Sequence, residues 1–200
     1  MVINTEPIVI AGERVTLKPL RHGSLEALCG IGLFDELWIW APASVRSKED
    51  MKKYISTAIS NNEKGTELPF VITANSNGEV LGSTRFMNID GANRKVEIGS
   101  TWITPGHQRT FVNTECKLLL LTHAFEAWQC IRVELKTDVL NAKSRRAILR
   151  LGAVEEGILR NNMITESGRR RDTVYYSILD IEWPPIKENL CIGLRTGKLK

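Results

Sequence analysis

The sequence predicts an α+β domain built on one mixed, mostly antiparallel sheet of seven strands with helices on both faces. Three observations predict this class. Several segments alternate apolar and polar residues at strand period, as residues 13–19 do. Asn77-Gly78 and Glu166-Ser167-Gly168 are hairpin turn signals. Other segments repeat apolar residues at helical spacing, which gives the order β-αα-βββ-α-β-α-ββ.

The first half of the chain carries a strand, a helical region and a three-stranded meander. Residues 13–19 form the opening strand, and Ser24 is a typical N-cap for one helix or two short helices over residues 25–40. Ser47 begins the spacing of a capping box, so we expect a helix to about residue 62. Three antiparallel strands follow, over residues 68–74, 79–87 and 94–103.

The second half alternates helices and strands. A long amphipathic helix runs from Thr114 to Glu126, and a second helix starts at Asn141 and ends with Gly152 as its C-terminal cap. The predicted strands of this half are residues 131–137, 154–164 and 173–181. The chain then divides into an N-terminal extension (1–12), the domain (13–183) and a C-terminal tail (184–200).

Composition excludes several classes of protein. The net charge of +4 on 200 residues suits an anionic ligand but does not by itself indicate nucleic acid, which we consider an unlikely partner. The four cysteines form no C-x-x-C pair, so we expect a reducing compartment, no disulfide framework and no zinc site. No segment approaches the ~20 apolar residues of a membrane span. We therefore expect a cytoplasmic protein without a membrane partner.

The most informative segment is the polar turn at residues 105–113, between a strand and the long helix. Such a turn directs free backbone N–H groups to one point, with the positive end of the helix dipole behind them. This arrangement favours a phosphate or pyrophosphate ligand. The alternative is an ordinary helix start with an incidental polar turn. His107 in this turn is a candidate base or simply a solvated loop residue.

Four segments together resemble the GNAT superfamily of acyltransferases, and specifically its RimJ/RimL-like group, which acetylates protein N-termini. They occur in order and at family spacing over residues 13–183: Glu97-Ile98-Gly99 with Trp102-Ile103; Gln108-Arg109-Thr110 with the following helix; Asn141-x-x-Ser144 with Leu151-Gly152-Ala153; and the final hairpin through 171–177.

The resemblance implies acetyl-CoA as co-substrate. The family's pyrophosphate loop follows [Gln/Arg]-x-x-Gly-x-[Gly/Ala], and Gln108 fills its first position. Phe111 and Asn113 replace the small residues, so Phe111 either constrains the backbone or covers part of the mouth, while its N–H can still donate. The implied cofactor-binding residues are Trp102, Ile103, Gln108, Arg109, Thr110, Phe111, Val112, Asn113, Thr114 and Asn141.

Asn141 and Ser144 carry further implied roles. In the family, an Asn at this position binds the pantetheine arm; it also makes an ordinary helix N-cap, and the two roles are compatible. The tyrosine that many members use as general acid is replaced by Ile148. In the RimL-like group a serine three residues after the Asn is proposed instead, which makes Ser144 the catalytic acid candidate. The alternative is a hydroxyl that bonds the local backbone.

Glu97 is the candidate general base, since an ammonium must lose a proton before it attacks a thioester. The alternative is a Glu paired with Arg94, Lys95 or Arg132. Glu134 is the second candidate, unless it faces solvent or pairs with Lys136. If the strands separate as in the family, a backbone N–H near Ile103 would stabilise the developing oxyanion.

Three aromatic or basic features are open at this stage. Tyr175 and Tyr176 point to opposite faces of one strand, so at most one lines the acceptor cleft. The arginines at 169–171 form either a solvated turn or a contact for an acidic acceptor. Trp38 and Trp40 either wall the cleft or pack in the core.

The leading hypothesis is therefore an N-acetyltransferase that transfers the acetyl group of acetyl-CoA to a primary amine by direct attack in a ternary complex. The amine is a protein N-terminus or a small molecule, and the resemblance leaves a homodimer open. The alternative is a non-catalytic CoA-binding or protein-interaction domain on the same fold, because a fold does not fix a function.

Overall fold

The computed structural model describes residues 3–197, which form eight strands and five helices. The strands are β1 (Ile10–Ala11), β2 (Val15–Pro19), β3 (Leu68–Ala74), β4 (Val80–Asp90), β5 (Lys95–Ile103), β6 (Arg132–Asp138), β7 (Val154–Ile164) and β8 (Arg170–Leu179). The helices are α1 (Leu25–Gly32), α2 (Lys48–Glu63), α3 (Phe111–Thr122), α4 (Ala142–Arg150) and α5 (Trp183–Thr196).

The strands form one sheet in the order β1-β2-β3-β4-β5-β6-β8-β7, and every neighbouring pair is antiparallel except β5 and β6. The α+β class and mixed sheet are confirmed, but the count of seven strands is wrong. The extra strand, β1, has two residues and pairs with Thr16 and Leu17 across a tight turn at Gly12. Two residues are too few to produce an alternating pattern in the sequence.

Helices cover both faces of the sheet, as expected. Helices α1 and α2 bury apolar residues such as Leu28 and Met51 on what we call the front face. Helices α3, α4 and α5 form the larger core on the back face, where Leu120, Ile148 and Leu190 are buried. Burying these apolar surfaces is the main stabilising contribution to the fold.

The N-terminal caps of two helices differ from the predictions. Helix α3 begins at Phe111 rather than Thr114, because the Thr110 hydroxyl accepts a hydrogen bond from the Val112 N–H and caps the helix earlier. Ser24 occupies the predicted N-cap position of α1 but makes no side-chain capping hydrogen bond to it; its hydroxyl instead accepts the Arg21 N–H within a preceding 3₁₀ turn.

The tail forms α5, with the two prolines after Trp183 in its first turn, where they are tolerated. The predicted extension (1–12) and tail (184–200) each extend beyond the described residues. Within residues 3–197, no helix is long and apolar enough to cross a membrane, and no cluster of side chains suits a metal ion.

Candidate active site

The sheet opens between β5 and β6, and this cleft is the centre of the candidate site. The two strands pair only from Lys95–Arg132 to Glu97–Glu134, although β5 continues to Ile103. Strand β5 contains a bulge, where its residues from Gly99 to Trp102 oppose only Arg85 to Ser83 on β4, and Ser100 has φ +49°. A bulge bends its strand. The bend therefore directs β5 away from β6 just beyond Glu97.

The anion-binding turn, residues 105–113, joins the end of β5 to the start of α3. Arg109 takes a left-handed conformation, with φ +61°, and turns the chain into the helix. The Gln108 side chain donates to the Ile103 carbonyl at 3.0 Å and ties the turn to the strand. Among residues 3–197, the backbone N–H groups of Arg109, Thr110, Phe111 and Asn113 have no acceptor. These orphaned donors fit a phosphate-bearing ligand.

Phe111 does not block this turn. It takes up helical backbone geometry as the first residue of α3, so it needs no positive φ. Its ring lies against the Arg14 guanidinium, with 4.0 Å between the guanidinium carbon and the ring centroid. Glu115 holds Arg14 through a 3.1 Å ion pair. The ring is thereby directed towards β2, which leaves the Phe111 N–H free.

The other predicted cofactor-binding residues differ in the face of the sheet on which their side chains are buried. The side chains of Val112, Thr114 and Ile103 are buried towards the back face, so only their backbone groups face a ligand. Trp102 is buried in the front core, where its indole donates to the Tyr54 hydroxyl at 3.3 Å and packs beside Trp38.

Asn141 is the N-cap of α4. Its side-chain oxygen accepts the Ser144 N–H at 3.0 Å, which agrees with the capping alternative. The Asn141 amide nitrogen and the Ser144 hydroxyl have no hydrogen-bond partner within the described part of the chain. Both groups remain available to a ligand, and Ser144 lies in the first turn of α4, where backbone N–H groups favour negative charge.

Glu97 lies on the front face at the point where the strands separate, and only 2% of its surface is exposed. Its carboxylate accepts from the Asn88 side chain at 2.7 Å and pairs with Lys136 at 2.9 Å. The partners suggested from sequence, Arg94, Lys95 and Arg132, were wrong. Lys136 takes their place because it is two residues beyond Glu134 on β6 and so shares the face of Glu97.

Glu134, the second candidate base, lies where β5 and β6 are still paired. It forms ion pairs with Arg132 at 2.9 Å and Lys95 at 3.6 Å, so the suggested pairing with Lys136 was wrong. Arg132 also pairs with Glu156 on β7. The two ion pairs keep Glu134 at the closed end of the cleft.

A second ion-pair group lies at the far end of β6, and we call it, together with Glu97 and Lys136, the charged wall. Asp138 is fully buried, pairs with Arg169 and has Arg171 at 3.8 Å. Burial is the main cause that lowers the pKa of Arg171 from its ordinary value. Arg169 and Arg171 are therefore neither simply solvated nor free for an acidic acceptor, whereas Arg170 between them is exposed.

The loop after α1 and the β7–β8 turn meet beside this wall. The Glu166 N–H donates to the Pro42 carbonyl at 2.9 Å, and the Glu166 carboxylate accepts the Ser44 N–H at 2.8 Å. A cavity of about 170 Å³ lies between them, lined in part by Trp38 and Arg169. Trp40 faces Arg169, with 5.7 Å from the guanidinium carbon to the ring centroid.

The remaining aromatic and histidine candidates differ in their burial and in their partners. Tyr176 is fully buried in the back core, whereas Tyr175 is half-buried and has the Lys136 ammonium 5.8 Å from its ring centroid. Trp38 packs in the front core and donates to the Gly32 carbonyl. His107 is half-buried rather than solvated, and its Nδ1 is buried with no partner among residues 3–197.

Sequence reasoning missed Asp138 and assigned the wrong partners to Lys136 and Arg171. A signal for Lys136 and Asp138 was present, since charged residues occupy every second position along one strand, at Arg132, Glu134, Lys136 and Asp138. Such a period places four charges on one face of β6. It also missed Lys117 of α3, which is buried and donates to Thr101 at 2.6 Å.

A divided sheet with orphaned N–H groups at a helix start beside the division indicates a protein that binds a phosphate-bearing ligand. Comparison with known proteins identifies the family. The model of the acetyltransferase (GNAT) domain matches residues 14–154, and the chain belongs to this family. It is an acetyl-CoA-dependent acyltransferase of the RimJ/RimL-like group, which agrees with the enzymatic hypothesis.

Three relatives illustrate the similarity. The chain is 26% identical over 181 residues to the ribosomal-protein-serine acetyltransferase of Escherichia coli (strain K12), covering 88% of this chain and 98% of that protein. YdaF of Bacillus subtilis (strain 168) is 38% identical over 106 residues, which are 53% of this chain and only 57% of YdaF. Mycobacterium smegmatis RimJ in complex with CoA-disulfide superposes with a TM-score of 0.81 at 25% identity, covering 94% of this chain and 95% of RimJ.

Proposed function

We propose that this enzyme acetylates the α-amino group of a protein N-terminus by direct attack in a ternary complex. The observation that carries the proposal is the position of Glu97, a buried carboxylate where β5 and β6 separate. When bound, acetyl-CoA supplies an activated acetyl thioester. Placing an amine beside it contributes much of the rate through proximity alone.

Glu97 is the proposed general base. Its carboxylate is held in place by the Asn88 side chain and by the Lys136 ammonium. The proposed role of the carboxylate is to receive the proton of the acceptor ammonium, directly or through one water molecule. Ser144 is the proposed acid that returns a proton to the departing thiolate, and a β5 backbone N–H near Ile103 would hold the developing oxyanion.

The proposed acceptor is a peptide rather than a free small amine. The Escherichia coli relative is named a ribosomal-protein-serine acetyltransferase, and a protein acceptor is consistent with that name. The cavity of about 170 Å³ beside the charged wall is bordered by two chain segments, and we propose it as the place where the acceptor chain end binds. Trp40 packs its ring against Arg169, one of the residues that line this cavity.

Release of CoA thiol with a panel of amines tests the proposal. The panel contains short peptides with free N-termini, the same peptides with blocked N-termini, a polyamine and free amino acids. We expect turnover with free N-terminal peptides, loss on blocking, and the acetyl group on the α-nitrogen by mass spectrometry. Turnover with blocked peptides or only with the small amines contradicts a protein N-terminus as acceptor.

A further inference from the structure

Lys117 is a buried charge without a counter-ion. It lies in the second turn of α3 with 6% of its surface exposed, and its one hydrogen bond among residues 3–197 goes to the Thr101 hydroxyl at 2.6 Å. No carboxylate pairs with it in this part of the chain. Buried charges are normally paired, because removing an unpaired ion from water is costly. The cost suggests that the charge serves a ligand that completes the site.

The surroundings of Lys117 are polar inside an otherwise apolar core. The Thr101 hydroxyl lies 2.8 Å from that of Thr84, and Thr114, one turn before Lys117 on α3, has a buried hydroxyl with no partner in residues 3–197. We call Thr84, Thr101, Thr114 and Lys117 the threonine–lysine cluster. It lies between β4, β5 and α3.

The cluster borders the turn and helix start that carry the orphaned N–H groups. Thr101 lies in the bulge of β5, two residues before Ile103. The Gln108 side chain joins the anion-binding turn to the carbonyl of Ile103. Lys117 follows the start of α3 by six residues, about 9 Å along the axis, and helical side chains lean towards the N-terminus. The ammonium is thus within roughly 10 Å of the orphaned N–H groups.

We propose that Lys117 supplies a buried positive charge that strengthens binding of the acetyl-CoA phosphates and that takes up a proton when they bind. Attraction over this distance, in a region that solvent screens poorly, amounts to about tenfold or more in Kd. The inference rests on acetyl-CoA use, which the family establishes, and is independent of the acceptor.

The Lys117 side chain is also expected to change its protonation state when an anion binds nearby. Burial lowers its pKa to about 8, and an anion nearby would raise that pKa. On α3, Glu115 is paired with Arg14, the residue before β2, and burial raises the pKa of Cys116 to about 12. Beyond α3, burial lowers the pKa of His123, which leaves it neutral in this range, and His107 lies in the turn.

Calorimetric titration of the full chain with acetyl-CoA, from about pH 7.5 to 9.5 in two buffers of different ionisation enthalpy, tests the proposal without any variant. At these pH values the cofactor phosphates are already fully ionised. We expect uptake of a fraction of a proton on binding and about tenfold weaker binding at the upper limit. Absence of proton uptake across the range overturns the proposal.

Lys117→Met and the matched control Lys52→Met, which removes an exposed charge on α2, complete the test. We expect Lys117→Met to bind acetyl-CoA about tenfold more weakly at pH 7.5, with no proton uptake. Lys52→Met should match the wild type. Equal affinity and equal uptake in Lys117→Met would mean that Lys117 only ties α3 to β5. Failure of the wild type to bind acetyl-CoA would instead contradict cofactor use itself.

Discussion

The two ends of the cleft recognise their ligands by different means. The anion-binding turn offers backbone N–H groups without partners, whereas the charged wall offers side chains that are already paired, such as Glu97 with Lys136. A backbone site tolerates a changed side chain, which explains how Phe111 replaces a small residue. A side-chain site depends on residue identity, so substitutions there should act on turnover and substitutions in the turn should not.

The largest expected effect is a loss of turnover when the proposed base is removed. Its absence would contradict the proposed difference between the side-chain site and the backbone site. Glu97→Gln removes the proposed base, so kcat/KM should fall by a factor of roughly 10²–10⁴. Its Kd for acetyl-CoA, measured by calorimetry, should stay within about twofold of wild type because the turn is unaltered. Glu134→Gln is the matched control and should lose less than about threefold in activity. Equal losses in both variants would reject Glu97 as the base.

The next effect is on stability, and it distinguishes the unpaired Lys117 from the paired charges of the charged wall. Burial lowers the Lys117 pKa from 10.5 to about 8, so below pH 8 the folded state carries a cost of roughly 3 kcal/mol. Between about pH 8 and 10.5 the unfolded chain binds more protons than the folded chain, and wild-type stability should therefore rise with pH. Lys117→Met should raise the free energy of unfolding at pH 7 by about 3 kcal/mol and remove this rise. Urea unfolding at several pH values measures both; a destabilised variant contradicts the account.

A smaller effect is expected at the cap of α4. Asn141→Ala removes the acceptor of the Ser144 N–H and should lower the free energy of unfolding by about 1 kcal/mol. Asn141→Asp keeps the acceptor and should retain that stability, while it loses the amide donor. If the amide also binds the pantetheine arm, both variants weaken acetyl-CoA binding in calorimetry. Wild-type affinity of Asn141→Asp for acetyl-CoA would show that Asn141 only caps α4.

The smallest effect on acetyl-CoA binding is expected at Phe111. Phe111→Gly should leave the Kd for acetyl-CoA within about threefold of wild type or tighten it, because the N–H groups stay in place. The free energy of unfolding should fall by about 1–2 kcal/mol through the lost Arg14 contact and the lower helix propensity. A large loss of affinity in the same titration would show that the ring packs on the cofactor.

Much of the fold followed from local patterns, while the charged wall did not. Strands β3 and β7 lie at the predicted residues because turn signals and alternation delimit them. Strand β1 was missed because two residues carry no period. The Glu97–Lys136 pair depends on where two parallel strands, distant in sequence, align and then separate. The position at which β5 and β6 separate is set by the β5 bulge between Gly99 and Trp102. No local pattern in the sequence predicts that bulge.

One measurement tests the division between the backbone and side-chain sites most directly. Acetyl-CoA is titrated into ¹⁵N-labelled protein while its backbone amide resonances are followed. The account predicts that the largest shifts fall on the amides of Arg109, Thr110, Phe111 and Asn113, which have no acceptor among residues 3–197. Shifts that leave these four amides unmoved and concentrate in the β7–β8 turn would contradict it.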